Sequence, residues 1–169
     1  MTKRIPVPYL NGAYTNIYRP GADVYPSADT AHFRRGARYD EWIPNDFTVI
    51  RSPEDGCWHM IGITHPRPPR EVFTDAFVHS GDIHEAEWQL FHAAAEGGPF
   101  GQVVRPGAFR DQPKILGTFD RPGERPEIWA PFVTRRPDGY RLIYSPGSIR
   151  QASSPDLYHW TPDTTPLFS

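Results

Sequence analysis

The side chains able to do chemistry in this sequence are carboxylates, histidines and tryptophans at the ends of short β-favouring runs. The first is Asp46, in N-D-F-T-V-I, just before the β-branched run Thr48-Val49-Ile50. A carboxylate at the mouth of a strand can be held rigidly while facing a pocket, and the working expectation is that Asp46 is one carboxylate of a sugar-cleaving site. Hydrolysis of a glycosidic bond needs a protonated carboxylic acid on the leaving oxygen and a second carboxylate across the ring, about 5–5.5 Å away for retention and roughly 6.5–9.5 Å for inversion. Asp46 supplies one of the two. Asp40 and Glu41 stand just upstream as alternative ligands, and Glu127, before I-W-A-P, is a further carboxylate shifted along its strand. Turn chemistry is the competing reading of Asn45-Asp46.

Around this carboxylate the expected substrate-binding set is His65, His79, Trp129, Trp42 and Phe132. His65 and His79 each end a predicted strand, where an imidazole either reaches sugar hydroxyls or makes a structural hydrogen bond. Trp129 and Trp42 offer flat faces for stacking, while Trp58, Trp88 and Trp160 read as sheet-packing aromatics. The histidines lack a close pair of the H-x-x-x-H kind, so no metal site is expected. The single cysteine, Cys57, excludes an internal disulfide and a cysteine-built zinc cage.

These residues need rigid elements, and the composition says which. Gly (14) and Pro (20) make up about one residue in five of the 169, which favours short strands and turns over long helices. The hairpin over 39–66 is the clearest element: a strand through Thr48-Val49-Ile50, a turn at Glu54-Asp55-Gly56, and a second strand from Trp58 to Thr64. Further strands are predicted at 5–10, 72–79, 114–119, 128–135, 140–145 and 148–153, and a helical stretch at 85–96 before Gly97-Gly98. The net charge of −2 gives no basic footprint for nucleic acid. No secretory signal and no membrane-spanning run is visible, which leads to the expectation of a soluble, cytoplasmic protein.

Two features repeat. Asp55-Gly56 recurs as Asp138-Gly139, and Ser80-x-Asp82 followed by Trp88 recurs as Ser154-x-Asp156 followed by Trp160. Repeated antiparallel units of this length point to an all-β fold of β-propeller type, with a β-sandwich as the alternative. The expected organisation is an N-terminal arm or loop over 1–40 and about two blades over 41–169. Two blades would leave open strand edges, so the expectation is an incomplete domain, or one completed by a homo-oligomer or a complementary propeller half.

In N-D-F-T-V-I…D-G-C-W-H-M-I-G-I-T-H-P and E-I-W-A-P-F-V…D-G-Y-R-L-I-Y-S…S-S-P-D-L-Y-H-W, the sequence resembles glycoside hydrolase family 43 and its relatives, families 32, 62 and 68. The resemblance runs over residues 39–169, and it lies in the order of the motifs more than in any one of them. It implies a five-bladed β-propeller with its site in a central funnel and carbohydrate as partner, acting on arabinose- or xylose-type side chains. It implies Asp46 as general base or nucleophile. A second family Asp follows W-A-P, where this sequence has Phe132. The family's acid, a Glu in a later blade, has no counterpart among the matched motifs. Some members hold a calcium ion; here the residues establish no cofactor. A non-catalytic carbohydrate-binding module is the alternative. The Ser-x-Asp corners resemble Asp-box turns, whose role is to stabilise loops.

Overall fold

A computed structural model of the chain describes residues 14–72, 74, 84, 86–99 and 104–168. The predicted strands at 5–10 and 72–79, the corner Ser80-x-Asp82 and the candidate His79 lie outside the described residues, apart from parts of the second run. Among the described residues the regular structure is β-strand, with a 3-10 turn at Thr118–Asp120 and no α-helix.

Two four-stranded antiparallel sheets form the body. The first contains β3 (Trp42–Arg51), β4 (Trp58–Pro66), β5 (Gln89–Ala95) and β6 (Arg110–Ile115), in that spatial order. The second contains β7 (Trp129–Arg136), β8 (Gly139–Ser145), β9 (Arg150–Ser154) and β10 (Thr161–Pro162), again in chain order. Each is an up-and-down meander, the form of a propeller blade. A two-stranded ladder of β1 (Asp23–Val24) and β2 (Arg38–Tyr39) belongs to the N-terminal arm. The leading edge strands β3 and β7 pack against one another.

Alternation along β4 explains how the layers stack. Ile61 and Ile63 point one way, into a core shared with Val133, Leu142 and Tyr144 of the second sheet and Leu157 of the loop between β9 and β10. Met60 points the other way, into a cluster with Tyr18, Phe91 and Phe109 beneath the arm. The first sheet is therefore covered on both faces, and its inner strands β4 and β5 are buried almost throughout. Gly62 is required here, because a Cβ would lie 2.5 Å from the Phe91 ring and 2.9 Å from the Asn45 carbonyl.

The helical expectation for 85–96 is overturned: its Q-L-F-H-A-A-A segment is β5, paired on both sides in the middle of the sheet. Alanine favours helices in isolation, but Ala93 and Ala95 here give Phe91, Tyr18 and Met60 room to close over the sheet. The strand expected at 114–119 instead spans Arg110–Ile115.

The D-G repeat marks equivalent places, since each closes the first hairpin of its sheet. The tryptophans of the other repeat do not: Trp88 comes directly before the third strand of the first sheet, whereas Trp160 follows the third strand of the second. At the second D-G turn the glycine is indispensable: Gly139 has φ +123, and a Cβ there would sit 2.5 Å from the Ser154 carbonyl oxygen.

Candidate functional site

Asp46 sits inside its strand. β3 begins four residues earlier, at Trp42, and pairing with β4 jumps from Asn45↔Ile63 to Phe47↔Gly62, leaving Asp46 as the extra residue of a bulge. Its φ is +26, and its N–H is held by its neighbour's side chain, Asn45 Oδ1, at 3.0 Å. The left-handed conformation is tolerated by Asp better than by most residues. The side chain is exposed, and its carboxylate makes no hydrogen bond or ion pair among the described residues. Alternate strand residues normally face opposite sides; the bulge re-aims this one.

β7 is built the same way. Its pairing jumps between Trp129↔Ser145 and Phe132↔Ile143, and Ala130 has φ +48. Two edge strands that pack together thus carry a left-handed, non-glycine residue in the half away from their D-G turns. Phe132 follows the second bulge and is 58% exposed; Phe47 follows the first and is 56% exposed. Each of the two packed edge strands thus presents an exposed aromatic ring just after its bulge.

The other expected binding residues are less open. Trp42 is buried with Tyr25, Phe33 and Ala86, its indole N–H donates to the Tyr39 carbonyl at 3.1 Å, and the Lys114 ammonium lies 4.1 Å over its ring. Lys114 also pairs with Asp23. Both the ring face and the cation are thereby committed within the protein. His65 is buried, and its Nδ1–H donates to the Pro66 carbonyl at 2.8 Å, which leaves Nε2 as the acceptor nitrogen. Burial pushes its pKa below the ordinary histidine value, against the upward pull of the Pro66 bond and Glu87.

Trp129 leads to a residue that the sequence reading omitted. Its indole N–H donates to Glu87 Oε2 at 2.9 Å, and the same oxygen accepts from His84 Nδ1 at 2.6 Å. The Glu87 side chain is 2% exposed, whereas that of His84 is 52% exposed. The Glu87 carbonyl also accepts the Ile128 N–H at 2.9 Å. Glu87 fixes the entry to β7 and the rotation of the Trp129 ring. The local signal was the H-x-x-E spacing of His84 and Glu87, but its meaning depends on a tryptophan 42 residues away. Glu127, the shifted carboxylate, has a buried Oε2 with no hydrogen-bond partner among the described residues.

The opposite end of the sheets is closed by a polar network. Glu54, from the first D-G turn, bonds Arg135 and Tyr140 at the second, and this holds its carboxyl down at about 2, led by the tyrosine hydroxyl. Asp55 Oδ2 faces His59 Nε2 at 3.1 Å, and His59 Nδ1 faces His92 Nε2 at 2.8 Å. Burial pushes both histidines below their ordinary pKa, His92 to about 3, so both rings are neutral near pH 7. With Nε2–H of His59 donating to the carboxylate, His92 must donate to His59, and His92 Nδ1 is left as a buried acceptor without a partner among the described residues. The Tyr158 hydroxyl donates to the same Asp55 oxygen at 3.2 Å. Ser154 and Asp156 bond the N–H groups of Leu157, Tyr158 and His159, all at 2.9 Å, in a corner that stabilises its loop.

Among the described residues no group of three or more His, Cys, Asp or Glu side chains is arranged to hold a metal ion. No helix among them is long and apolar enough to cross a membrane.

No protein-family model and no curated protein sequence matches the chain. Solved structures do match. A GH43 β-xylosidase/α-arabinofuranosidase from a compost microbial metagenome, in complex with xylotriose in a calcium-free form, is similar at 15% identity and TM-score 0.47, over 73% of this chain and 35% of its own. The GH43_1 enzyme from Xanthomonas citri is similar at 13% identity and TM-score 0.49, over 73% of this chain and 33% of its own. The same enzyme in complex with xylose is similar at 14% identity and TM-score 0.48, over 73% and 32%. The chain spans about a third of the length of these structures. The likeness concerns the fold.

Proposed function

We propose that the chain belongs to a carbohydrate-acting, glycoside hydrolase-like protein in which Asp46 faces the anomeric carbon as general base or nucleophile. The observation that carries this reading is the free, exposed carboxylate of Asp46 on a left-handed bulge of an edge strand. A non-glycine residue held at positive φ on a bulge, exposed and without a partner among the described residues, is the kind of outlier from which a functional role is inferred. Trp129, oriented by Glu87, and Phe132 supply aromatic surface of the kind sugars stack on. The substrates proposed are O-glycosides of arabinose or xylose side-chain type. The general acid comes from further blades or from an associating chain, because one carboxylate does not complete the cycle.

A second reading is favoured by one residue. Phe132, where the resemblance implies an Asp, presents ring and no carboxylate, which suits a sugar-binding module without turnover. Dinitrophenyl glycosides separate the two readings, because their leaving group needs no protonation and a missing acid is bypassed. Turnover of the arabinofuranoside or xyloside, lowered roughly 10²–10⁴-fold by Asp46→Asn, is the expected result. A variant that keeps full turnover sinks the Asp46 assignment, and sugar binding with no turnover in the wild type establishes the module.

A further inference from the structure

A cleft of about 570 Å³ opens at the D-G turn end of the first sheet, away from Asp46. Arg110 and Gln112 of β6 line it, with Arg105 and Glu96 at its rim and Cys57 and Tyr158 in its wall. Pairing explains the arrangement. Arg110 lies opposite Ala94 and Gln112 opposite His92, so both project from the face that the second sheet covers elsewhere. Ala94 is too small to fill the space beside them. Arg105 is brought in by a turn fixed by the Ala108 N–H to its carbonyl at 3.2 Å and by Gly107 N–H to the Asn16 carbonyl at 3.1 Å. The far wall is the Tyr158 ring, locked by its hydroxyl bond to Asp55 and by packing 5.0 Å from His92.

Arg105 and Arg110 are exposed and have no carboxylate partner among the described residues, and the Gln112 amide has no hydrogen-bond partner there. Other surface arginines are also unpaired there; what sets these two apart is that they line one cleft with an amide and a fixed aromatic ring. Among the described residues lining the cleft, Glu96 is the one acid, against two arginines. Two guanidinium forks and an amide around a rigid aromatic wall match a planar or tetrahedral oxyanion on a polar body. The volume lies within the roughly 300–1,000 Å³ of small-molecule sites.

We infer that this cleft binds a small anion, a carboxylate or phosphate carried by a sugar-sized polar molecule, with Arg105 and Arg110 as its ligands. The site is separate from Asp46 and stands whether or not that residue is catalytic.

The chain carries its own reporter, because its single cysteine, Cys57, lies half-buried in the cleft wall. The experiment follows the rate of Cys57 alkylation by iodoacetamide at constant ionic strength, with D-glucuronate, inorganic phosphate or glucose added. A saturable slowing by glucuronate or phosphate, and none by glucose, is expected. Stronger protection by glucuronate assigns the carboxylated sugar, and stronger protection by phosphate assigns a phosphorylated ligand. The Arg105→Ala/Arg110→Ala variant is expected to lose the protection while melting like the wild type. Arg105→Gln alone, on a surface turn, should weaken it about tenfold, the loss of one charge-assisted pair. Arg136→Ala, an exposed arginine of the second sheet, should leave it intact. Alkylation unaffected by either anion, or slowed equally in both arginine variants and the wild type, overturns the proposal.

Discussion

At the D-G turn end, Glu54, Asp55, His59, His92 and Asp156 are each bonded to at least one other side chain, and Glu54 and Asp55 reach from the first sheet to residues of the second. In the other half of the same strands, Asp46 and Phe132 face outward, on or just after a bulge, with no such bond. The difference teaches where this fold spends its polar groups. Around the turns, carboxylates and histidines tie the two blades together, while on the bulged halves of β3 and β7 Asp46 and Phe132 stay free although Trp129 beside them is held by Glu87. Structural ties and a reactive site make opposite demands on a carboxylate, and Glu54 and Asp46 of one hairpin meet them separately.

The comparison is broken most severely at Gly139. Gly139→Ala forces a Cβ against the Ser154 carbonyl in a conformation that only glycine adopts easily, and a loss of about 3 kcal/mol is expected in urea unfolding. A loss under about 0.5 kcal/mol would show that the turn end relaxes freely. Next in size is Glu87→Leu, which strips the acceptor from the Trp129 indole and should cost roughly 2 kcal/mol. Because it frees the Trp129 ring, a change in tryptophan fluorescence should accompany the loss; an unchanged spectrum would contradict the positioning role.

The histidine chain makes the turn end acid-sensitive. His59 and His92 have folded pKa values below the unfolded value, so the unfolded state binds protons first as pH falls below about 6.5. Stability that is full above that point is lost on acidification, at about 1.4 kcal/mol per pH unit for each such histidine, until the folded pKa is reached. For His92 that lies at about 3. The carboxylates Glu54 and Asp156, each held down at about 2, extend the loss below pH 4; in Asp156 burial pushes upward, but the bonds from His159 and from the N–H groups of His159 and Tyr158 outweigh it. Melting temperatures between pH 7 and 5 should fall in the wild type and flatten in His59→Gln/His92→Gln, with His65 retaining part of the slope. Parallel slopes in the two proteins would refute the account. The smallest effect is at the open end: Asp46→Asn should change stability by less than about 0.5 kcal/mol, since its exposed carboxylate makes no bond among the described residues.

The hairpins were legible because Asp55-Gly56 and Asp138-Gly139 state their own turns between alternating runs. Asp46 could be placed near the front of the first strand, but its bulge could not, because the extra residue is defined only by pairing with Ile63 and Gly62. The Q-L-F-H-A-A-A strand misled for a physical reason: its alanines are chosen by the rings packed over them, not by backbone preference. Glu87, Tyr158 and the His59–His92 contact join residues 33 to 103 positions apart, and no local pattern announces such pairs.

The central claim is that the Asp46 carboxylate reacts, and chemical rescue tests it most directly. Asp46→Ala should fail to release dinitrophenol from the arabinofuranoside or xyloside that the wild type turns over, and added formate should restore release in a saturable way. Full release by Asp46→Ala without formate would contradict the assignment.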